Sequence, residues 1–226
     1  ETAIILDTST AHRTEAGWAY GYPELSAAHR EAIRTGKRIA VPGCYATGFI
    51  TTAYALTAGG ILPKDYPVSA FAVSGYSGGG KKMIAQYQAQ DKEKELSSAR
   101  LYALSQSHKH LKEMKAISGL ERTPLFSPMV TDYYSGMTVS LTFYADMLNG
   151  RQTPETVREY LAKHYAGEKF ITVQPLGAEA ESGGVLFSSA RSGWDGLEIY
   201  VTGNEDRIMV TTRFDNLGKG ASGAAI

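Results

Sequence analysis

The sequence is nearly devoid of cysteine: Cys44 is the single thiol among 226 residues. One thiol cannot form a disulfide within the chain, and Cys44 with five scattered histidines gives none of the paired spacings that bind zinc. We therefore expect no metal site. A lone thiol is typical of a reducing compartment, which predicts a cytoplasmic protein.

Excess charge and long apolar runs are also lacking. Basic and acidic residues balance at 23 each, and the absence of a Lys/Arg run removes the footprint of a nucleic-acid-binding protein. The longest apolar runs fall far short of the roughly 20 residues that a membrane helix needs. We therefore expect neither nucleic acid nor a membrane as partner, and 43% hydrophobic residues are typical of an ordinary globular chain.

An initiator methionine is missing as well. The chain starts at Glu1 and leads directly into the strand-like stretch "TAIILD". We therefore expect the natural protein to be longer than this sequence.

The first half alternates strand and helix patterns. "AIILD" predicts a buried parallel strand, and "PELSAAHREAIRTGK" predicts a helix with an apolar side that ends at Gly36. "RIAVPG" predicts a second strand, and a helix follows from Cys44 to the Gly59-Gly60 pair. The apolar side of the first helix is Leu25, Ala28, Ala32 and Ile33, and that of the second is Phe49, Ile50, Ala53 and Leu56.

The later segments change period. Val68 to Val73 predicts a strand, and a long polar helix is expected from about Lys82 to Ala99. "TVSLTFYA" alternates strictly, which is typical of a strand with one wet face. Thr153-Pro154 predicts a helix start, and "LEIYVTG" and "RIMVTTRFD" predict an antiparallel hairpin. This half therefore favours an α+β arrangement.

The position of Cys44 favours reactivity. Unpaired N–H groups and the positive dipole end at a helix start stabilise a thiolate, so we expect a lowered pKa. Pro42-Gly43 before it predicts a tight turn, and small residues nearby leave room for a ligand. Taken alone, a lone cysteine is more often a small buried hydrophobe.

A proton-transfer partner for the thiol is available in "SHKHLKEM". His110 and Glu113 are three residues apart and share a helix face, so the carboxylate can orient the imidazole. His108 lies beside them. The alternative is a solvated polar helix end.

Two glycine-rich stretches and one arginine are further candidates. "SGYSGGGK" follows a strand and precedes a helix, where backbone N–H groups bind anions, but taken alone it is more often a plain flexible turn. "DNLGKGASGAA" suggests a loop packed on a ligand, with Lys219 available for phosphate. Arg13 suits a carboxylate, although a lone arginine is more often a structural ion-pair partner.

Together and in this order, the motifs resemble the short form of the N-acetyl-gamma-glutamyl-phosphate reductases. The resemblance covers almost the whole chain. It is carried by "DTSTAHR", "WAYGYPEL", "PGCYATG", "DYPVSAFAVSGYSGGGKK", "HKHLKEM", "LFSPMV" and "DNLGKGASGAA".

The resemblance implies an α/β plus α+β fold. The expected parts are a remnant of a Rossmann nucleotide-binding domain at 1–43, a glyceraldehyde-phosphate-dehydrogenase-like domain with a largely antiparallel sheet at 44–213, and a return segment at 214–226. It also implies arginine biosynthesis, NADPH as cofactor, an acyl-phosphate substrate, a cysteine thioester intermediate and a homo-oligomer.

The resemblance implies roles for single residues too. Cys44 matches the nucleophile and His110 the acid/base, supported by His108 and Glu113. The expected substrate-binding residues are Ser9 and Arg13. The expected cofactor-binding residues are Ser74, Gly75, Ser77, Gly78, Asn216, Gly218 and Lys219.

Two departures and two gaps accompany the resemblance. Val41 stands where the family usually has asparagine, and Lys112 where it usually has proline. The family's nucleotide-binding start and its final helix are not in the sequence, so we expect this chain alone to bind NADPH poorly. The alternatives are an aspartate-semialdehyde-type dehydrogenase, a cysteine-dependent acyl hydrolase and a non-enzymatic oligomerisation module.

Overall fold

The computed structural model describes residues 3–225. Glu1, Thr2 and Ile226, which belong to the predicted first and last segments, lie outside the described residues. The strands are, in chain order, β1 (Ile5–Asp7), β2 (Ala19–Tyr20), β3 (Arg38–Ala40), β4 (Ser69–Gly75), β5 (Arg100–Leu101), β6 (Leu125–Thr131), β7 (Met137–Tyr144), β8 (Ile171–Val173), β9 (Leu197–Gly203) and β10 (Arg207–Phe214). The α-helices are α1 (Ala27–Thr35), α2 (Cys44–Ala58), α3 (Gly80–Gln88), α4 (Leu111–Ser118) and α5 (Pro154–His164).

A small parallel sheet comes first, with strand order β1-β3-β2. The predicted strand pair is present, but the predicted burial of its first strand is wrong, because Ile5 and Leu6 are 43% and 51% exposed. Of the predicted apolar side of the first helix, Ala28 and Ala32 are exposed, whereas Leu25, in the 3-10 turn before α1, is buried and Ile33 is partly buried. Burial of such a short run requires a second layer, and within residues 3–225 no element covers β1.

A larger sheet carries the rest of the fold, in the order β5-β6-β4-β7-β10-β9-β8. The pairs β4–β6 and β8–β9 are parallel, and the other neighbours are antiparallel. The predicted hairpin is β9–β10. The predicted fold class of mixed α/β with a largely antiparallel sheet is confirmed.

Helix α2 lies at the centre of the core. It packs on β7 and β10, and the predicted apolar face of Phe49, Ile50, Ala53 and Leu56 is fully buried. The inward-facing residues of β7 pack against this helix. The alternation predicted from sequence is present, since Val139 is fully buried while Thr142 is exposed. The nucleophile candidate is thus the first residue of the most buried helix.

Helix α3 is shorter than predicted. It ends at Gln88, and Ala89 turns to an extended conformation, so the expectation of a helix to Ala99 is wrong. The stretch "QAQDKEKE" offers no apolar stripe with which tertiary packing could stabilise a longer helix. The chain instead forms a short 3-10 turn at Lys94–Ser97, whose Leu96 packs in one cluster with Tyr87.

The predicted start of α5 is confirmed. Pro154 is its first residue, and the Thr153 side chain accepts a hydrogen bond from the N–H of Thr156. Across residues 3–225, no helix combines the length and the apolar character that crossing a membrane requires.

Candidate active site

Cys44 begins α2 directly after the β3 strand and the Pro42-Gly43 turn. Gly43 is the N-cap, and its carbonyl accepts the N–H of Thr47 at 2.8 Å. The thiol residue is partly buried. A second segment approaches it closely, because a Cβ placed on Gly220 would lie 2.9 Å from the Cys44 Cβ.

A cavity of about 440 Å³ opens beside the thiol. The structure brings most of the predicted site residues to its wall, from segments far apart in sequence. Those residues are Cys44, His110, His108, Arg13, Ser74, Gly75, Ser77, Gly78 and Asn216.

The His110 side chain packs directly against the turn that precedes the thiol. A Cβ on Gly43 would lie 2.4 Å from His110 Nε2, so only glycine fits there. Burial lowers the pKa of His110 well below its ordinary value, and its Nδ1 has no hydrogen-bond partner among the described residues. Burial therefore favours the neutral imidazole of His110, which keeps a lone pair on one ring nitrogen.

His108 supports His110 through the backbone. Its Nδ1 accepts the N–H of His110 at 3.1 Å, and its Nε2 lies 3.5 Å from the Tyr102 hydroxyl. Burial lowers the pKa of His108 to about 4, so Nδ1 stays free to accept that bond.

Glu113 does not orient the imidazole of His110, which corrects the expectation from sequence. Its Oε1 pairs with Arg13 Nη1 at 2.6 Å. Its Oε2 accepts from the Tyr20 hydroxyl at 3.0 Å and from the N–H of Gly43 at 3.3 Å. The carboxylate fixes the turn before Cys44, and the helix spacing could not show this because all three donors come from other segments.

Arg13 is buried and helps to hold the turn that precedes Cys44. Its Nε donates to the Val41 carbonyl at 2.9 Å and its Nη2 to the Thr8 carbonyl at 2.9 Å. With the bond to Glu113, three of the five guanidinium N–H groups are in use. The two that remain are the ones with which Arg13, at the cavity wall, can bind an anion.

The expected low pKa of the thiol is wrong. Burial raises the pKa of Cys44 to about 11, and the hydrogen bond with the Tyr45 backbone opposes this only in part. The helix start was a correct local observation, but desolvation of the charged form is the larger effect. The raised pKa favours the neutral thiol as the resting form of Cys44.

Two predicted residues of the last segment and one of the first are not at the cavity wall. Lys219 is buried in an ion pair with Glu24 at 2.5 Å, so it is not available for phosphate. Gly218 packs against the Trp194 carbonyl. Ser9 is exposed and its N–H donates to Asp7 Oδ1 at 2.5 Å, while the neighbouring Thr8 lines the cavity.

The remaining predicted loop residue, Asn216, connects two walls of the cavity. Its Nδ2 donates to Ser77 Oγ at 2.9 Å, and its Oδ1 accepts the N–H of Gly136 at 2.9 Å. The adjacent Asp215 accepts Ser135 Oγ at 3.0 Å.

Three tyrosines of the site were missed from sequence. Tyr20 holds Glu113, and Tyr45 and Tyr102 line the cavity. The motif "WAYGYPEL" contains Tyr20 without suggesting a role, and Tyr102 lies in an unremarkable stretch. Only the folded arrangement of strands and helices reveals them.

The two departures from the family pattern fit their surroundings. Val41 is buried, and its backbone N–H donates to the Asp7 carbonyl at 2.7 Å. Lys112 is exposed and lies 3.3 Å from Glu15. Among residues 3–225, no group of three or more His, Cys, Asp or Glu side chains is arranged to hold a metal ion.

Solved structures define the class of the fold. Aspartate semialdehyde dehydrogenase from Francisella tularensis superposes with a TM-score of 0.71 at 14% identity, over 97% of this chain and 71% of that one. Aspartate semialdehyde dehydrogenase II from Vibrio cholerae gives 0.72 at 15% identity, over 98% and 70%. The family described as semialdehyde dehydrogenase, dimerisation domain, matches residues 44–216. The chain therefore has the semialdehyde dehydrogenase fold.

Curated relatives narrow the class. N-acetyl-gamma-glutamyl-phosphate reductase 2 of a Nostoc species is 40% identical over 98% of this chain and 71% of that protein. N-acetyl-gamma-glutamyl-phosphate reductase of Brucella ovis is 42% identical over 98% and 72%. The chain belongs to the N-acetyl-gamma-glutamyl-phosphate reductase family. The predicted boundaries after residues 43 and 213, and the Rossmann remnant, stay predictions.

Proposed function

We propose that the chain carries the catalytic cysteine of an NADPH-dependent reductase that converts N-acetyl-gamma-glutamyl phosphate to N-acetylglutamate semialdehyde and phosphate. The observation that carries the proposal is the meeting of Cys44 and a neutral His110 at one cavity, in a chain related over nearly all its length to reductases of that name.

The acylation step follows from the states of these two residues. Cys44 Sγ attacks the acyl carbon of the substrate while its proton passes to His110, the base that a thiol of raised pKa requires. The bond between the acyl carbon and the phosphate oxygen breaks, phosphate leaves, and a thioester remains on Cys44. Arg13, through its free N–H groups, is suited to the phosphate.

The same cavity has features that fit a dinucleotide. Gly75, Gly78, Gly79 and Gly80 line it without side chains, so their backbone leaves a surface that a ligand can approach. Ser77 and Asn216 add polar groups at the wall. NADPH, when bound, supplies the hydride that reduces the thioester.

The substrate is tested by comparing acyl phosphates. The complete protein should oxidise NADPH with N-acetyl-gamma-glutamyl phosphate and far more slowly with beta-aspartyl phosphate, while Cys44→Ser should be inactive with both. Equal rates with the two substrates would favour an aspartate-semialdehyde-type enzyme. Release of phosphate with no NADPH oxidation would favour an acyl hydrolase.

We also infer a homo-oligomer formed through the open face of the large sheet. Phe71 and Leu125 are 47% and 60% exposed there, on neighbouring strands, and a large exposed apolar patch marks an interaction surface. Phe71→Lys should shift the mass measured by light scattering toward the monomer. An unchanged mass would contradict the inference. The single thiol supports a cytoplasmic location.

A further inference from the structure

A buried ion pair joins the turn after β2 to the loop after β10. Lys219 Nζ lies 2.5 Å from Glu24 Oε1, and each side chain is 4% exposed. Lys219 Nζ also lies 4.9 Å from the centre of the Tyr22 ring. The pair faces a separate cavity of about 280 Å³ rather than the one beside the thiol.

The loop that carries Lys219 is a wall of the active-site cavity. Asn216, Leu217, Gly220 and Ala221 line it, and Gly220 approaches the Cys44 Cβ so closely that an added Cβ would be 2.9 Å away. Lys219 is thus next to the residue that packs on the nucleophile, with its own side chain directed elsewhere.

The two halves of this loop are held differently. Asp215 and Asn216 anchor the first half through their side chains to Ser135, Ser77 and Gly136. In the second half, the side chain bonds of the described residues are those of Lys219 to Glu24 and of Ser222 to the Leu217 carbonyl. The Gly220 N–H itself donates to the Asp215 carbonyl at 3.0 Å, and Lys219 is the side chain of the second half that bonds to another segment of the chain.

Stability alone explains such a pair poorly. Desolvation of two buried charges offsets much of their attraction, so apolar residues of similar size are often as stabilising. In some proteins a buried polar or ionic pair instead fixes the register of the segments that it joins. On the other side, Tyr22, two residues before Glu24, is held to α2, since its hydroxyl lies 2.5 Å from the Thr51 hydroxyl.

We propose that Lys219 is a positioning residue: through Glu24 it holds the Gly220 backbone against Cys44 and closes this side of the cavity to water. The proposal rests on the proposed function. With the loop loosened, water attacks the thioester carbonyl, the carbon–sulfur bond breaks, the thiol regains a proton, and N-acetylglutamate is released without oxidation of NADPH.

Two measurements on the complete protein test this. The first is the ratio of phosphate released to NADPH oxidised, which should be close to one in the wild type and rise severalfold in Lys219→Met. The second does not depend on turnover: alkylation of the Cys44 peptide by iodoacetamide, followed by mass spectrometry, should be faster in Lys219→Met.

Four further variants serve as controls. Leu161→Ala truncates a fully buried side chain of α5 that does not line the cavity; we expect it to lower the melting temperature and to leave both readouts unchanged. Lys92→Met breaks a partly exposed ion pair with Asp132 at 2.6 Å and should also change neither. Glu24→Gln with Lys219→Met leaves no lone buried charge, so it serves where the single variant does not fold, and Lys219→Arg should restore the ratio toward one.

The outcomes separate the two claims. A wild type that never oxidises NADPH with the acyl phosphate refutes the proposed function. Suppose that the wild type is active, and that Lys219→Met or the double variant keeps a phosphate-to-NADPH ratio of one and an unchanged rate of Cys44 alkylation. That result overturns the positioning role of Lys219 and leaves the proposed function intact. An equal rise of the phosphate-to-NADPH ratio in Leu161→Ala also overturns the positioning role, because general destabilisation would then explain the rise.

Discussion

Glu113 accepts a hydrogen bond from the backbone N–H of Gly43 at 3.3 Å and pairs with Arg13 at 2.6 Å. A carboxylate on α4 thereby fixes the turn that delivers Cys44 to the cavity. His110 immediately precedes α4, so the start of this one helix contributes both Glu113 and His110 to the surroundings of Cys44, the first residue of α2.

Glu113→Gln should weaken this arrangement. The amide carries one oxygen and no charge, so Arg13 is left buried without its counter-ion, and we expect the free energy of unfolding to fall by about 3 kcal/mol. Chemical denaturation measures it. Lys112→Met on the same helix removes an exposed pair with Glu15 and should cost less than about 1 kcal/mol; equal losses would contradict the role given to Glu113.

Gly43→Ala should lower kcat through sterics. The new Cβ would meet His110 Nε2 at 2.4 Å and Arg13 Nη1 at 2.5 Å, so the imidazole must move. We expect at least a tenfold loss, about 1.4 kcal/mol of barrier. Gly167→Ala is the control, because its φ of +84° makes alanine unfavourable while no atom lies within 4 Å; it should reduce stability and spare kcat.

The pH dependence of alkylation tests the thiol. Burial raises the pKa of Cys44 to about 11, and the thiolate is the reactive form. In the free protein the rate of reaction with iodoacetamide should therefore climb about tenfold per pH unit from pH 7 to 9. A rate that is flat over this range would mean that the thiolate is already formed.

Stability should fall in acid because of His110. Burial lowers its folded pKa well below the unfolded value of 6.5, so the unfolded chain binds the extra proton. The contribution is present above pH 6.5 and is lost as the pH falls, with a slope of up to about 1.4 kcal/mol per pH unit. Denaturant titrations at pH 6.5 and 5 should show a smaller decrease in the free energy of unfolding for His110→Asn than for the wild type. Equal decreases in the two proteins would refute the contribution of His110.

Local patterns in the sequence predicted much of the fold. The alternation in β7, the cap of α5 and the apolar face of α2 each depend on neighbours in sequence, and each is confirmed. The helix to Ala99 and the burial of β1 were wrong because tertiary packing decides them. Composition alone does not show what covers a strand or shortens a helix.

The candidate site could be predicted only in part. The order of the motifs predicted that Cys44 and His110 belong to one site, and both line the same cavity. The partners of Glu113 and Lys219 are 100 and 195 residues away, so their roles follow from topology. The pKa of Cys44 likewise depends on desolvation by the whole fold, which the helix start alone does not show.

The central claim is that Cys44 accepts the acyl group, and a single experiment addresses it directly. The protein is mixed with N-acetyl-gamma-glutamyl phosphate without NADPH, quenched in acid, and analysed by peptide mass spectrometry together with Cys44→Ser. We predict an N-acetylglutamyl adduct on the Cys44 peptide and one equivalent of phosphate, with neither in Cys44→Ser. Phosphate release that persists in Cys44→Ser, or an adduct on another residue, would contradict the account.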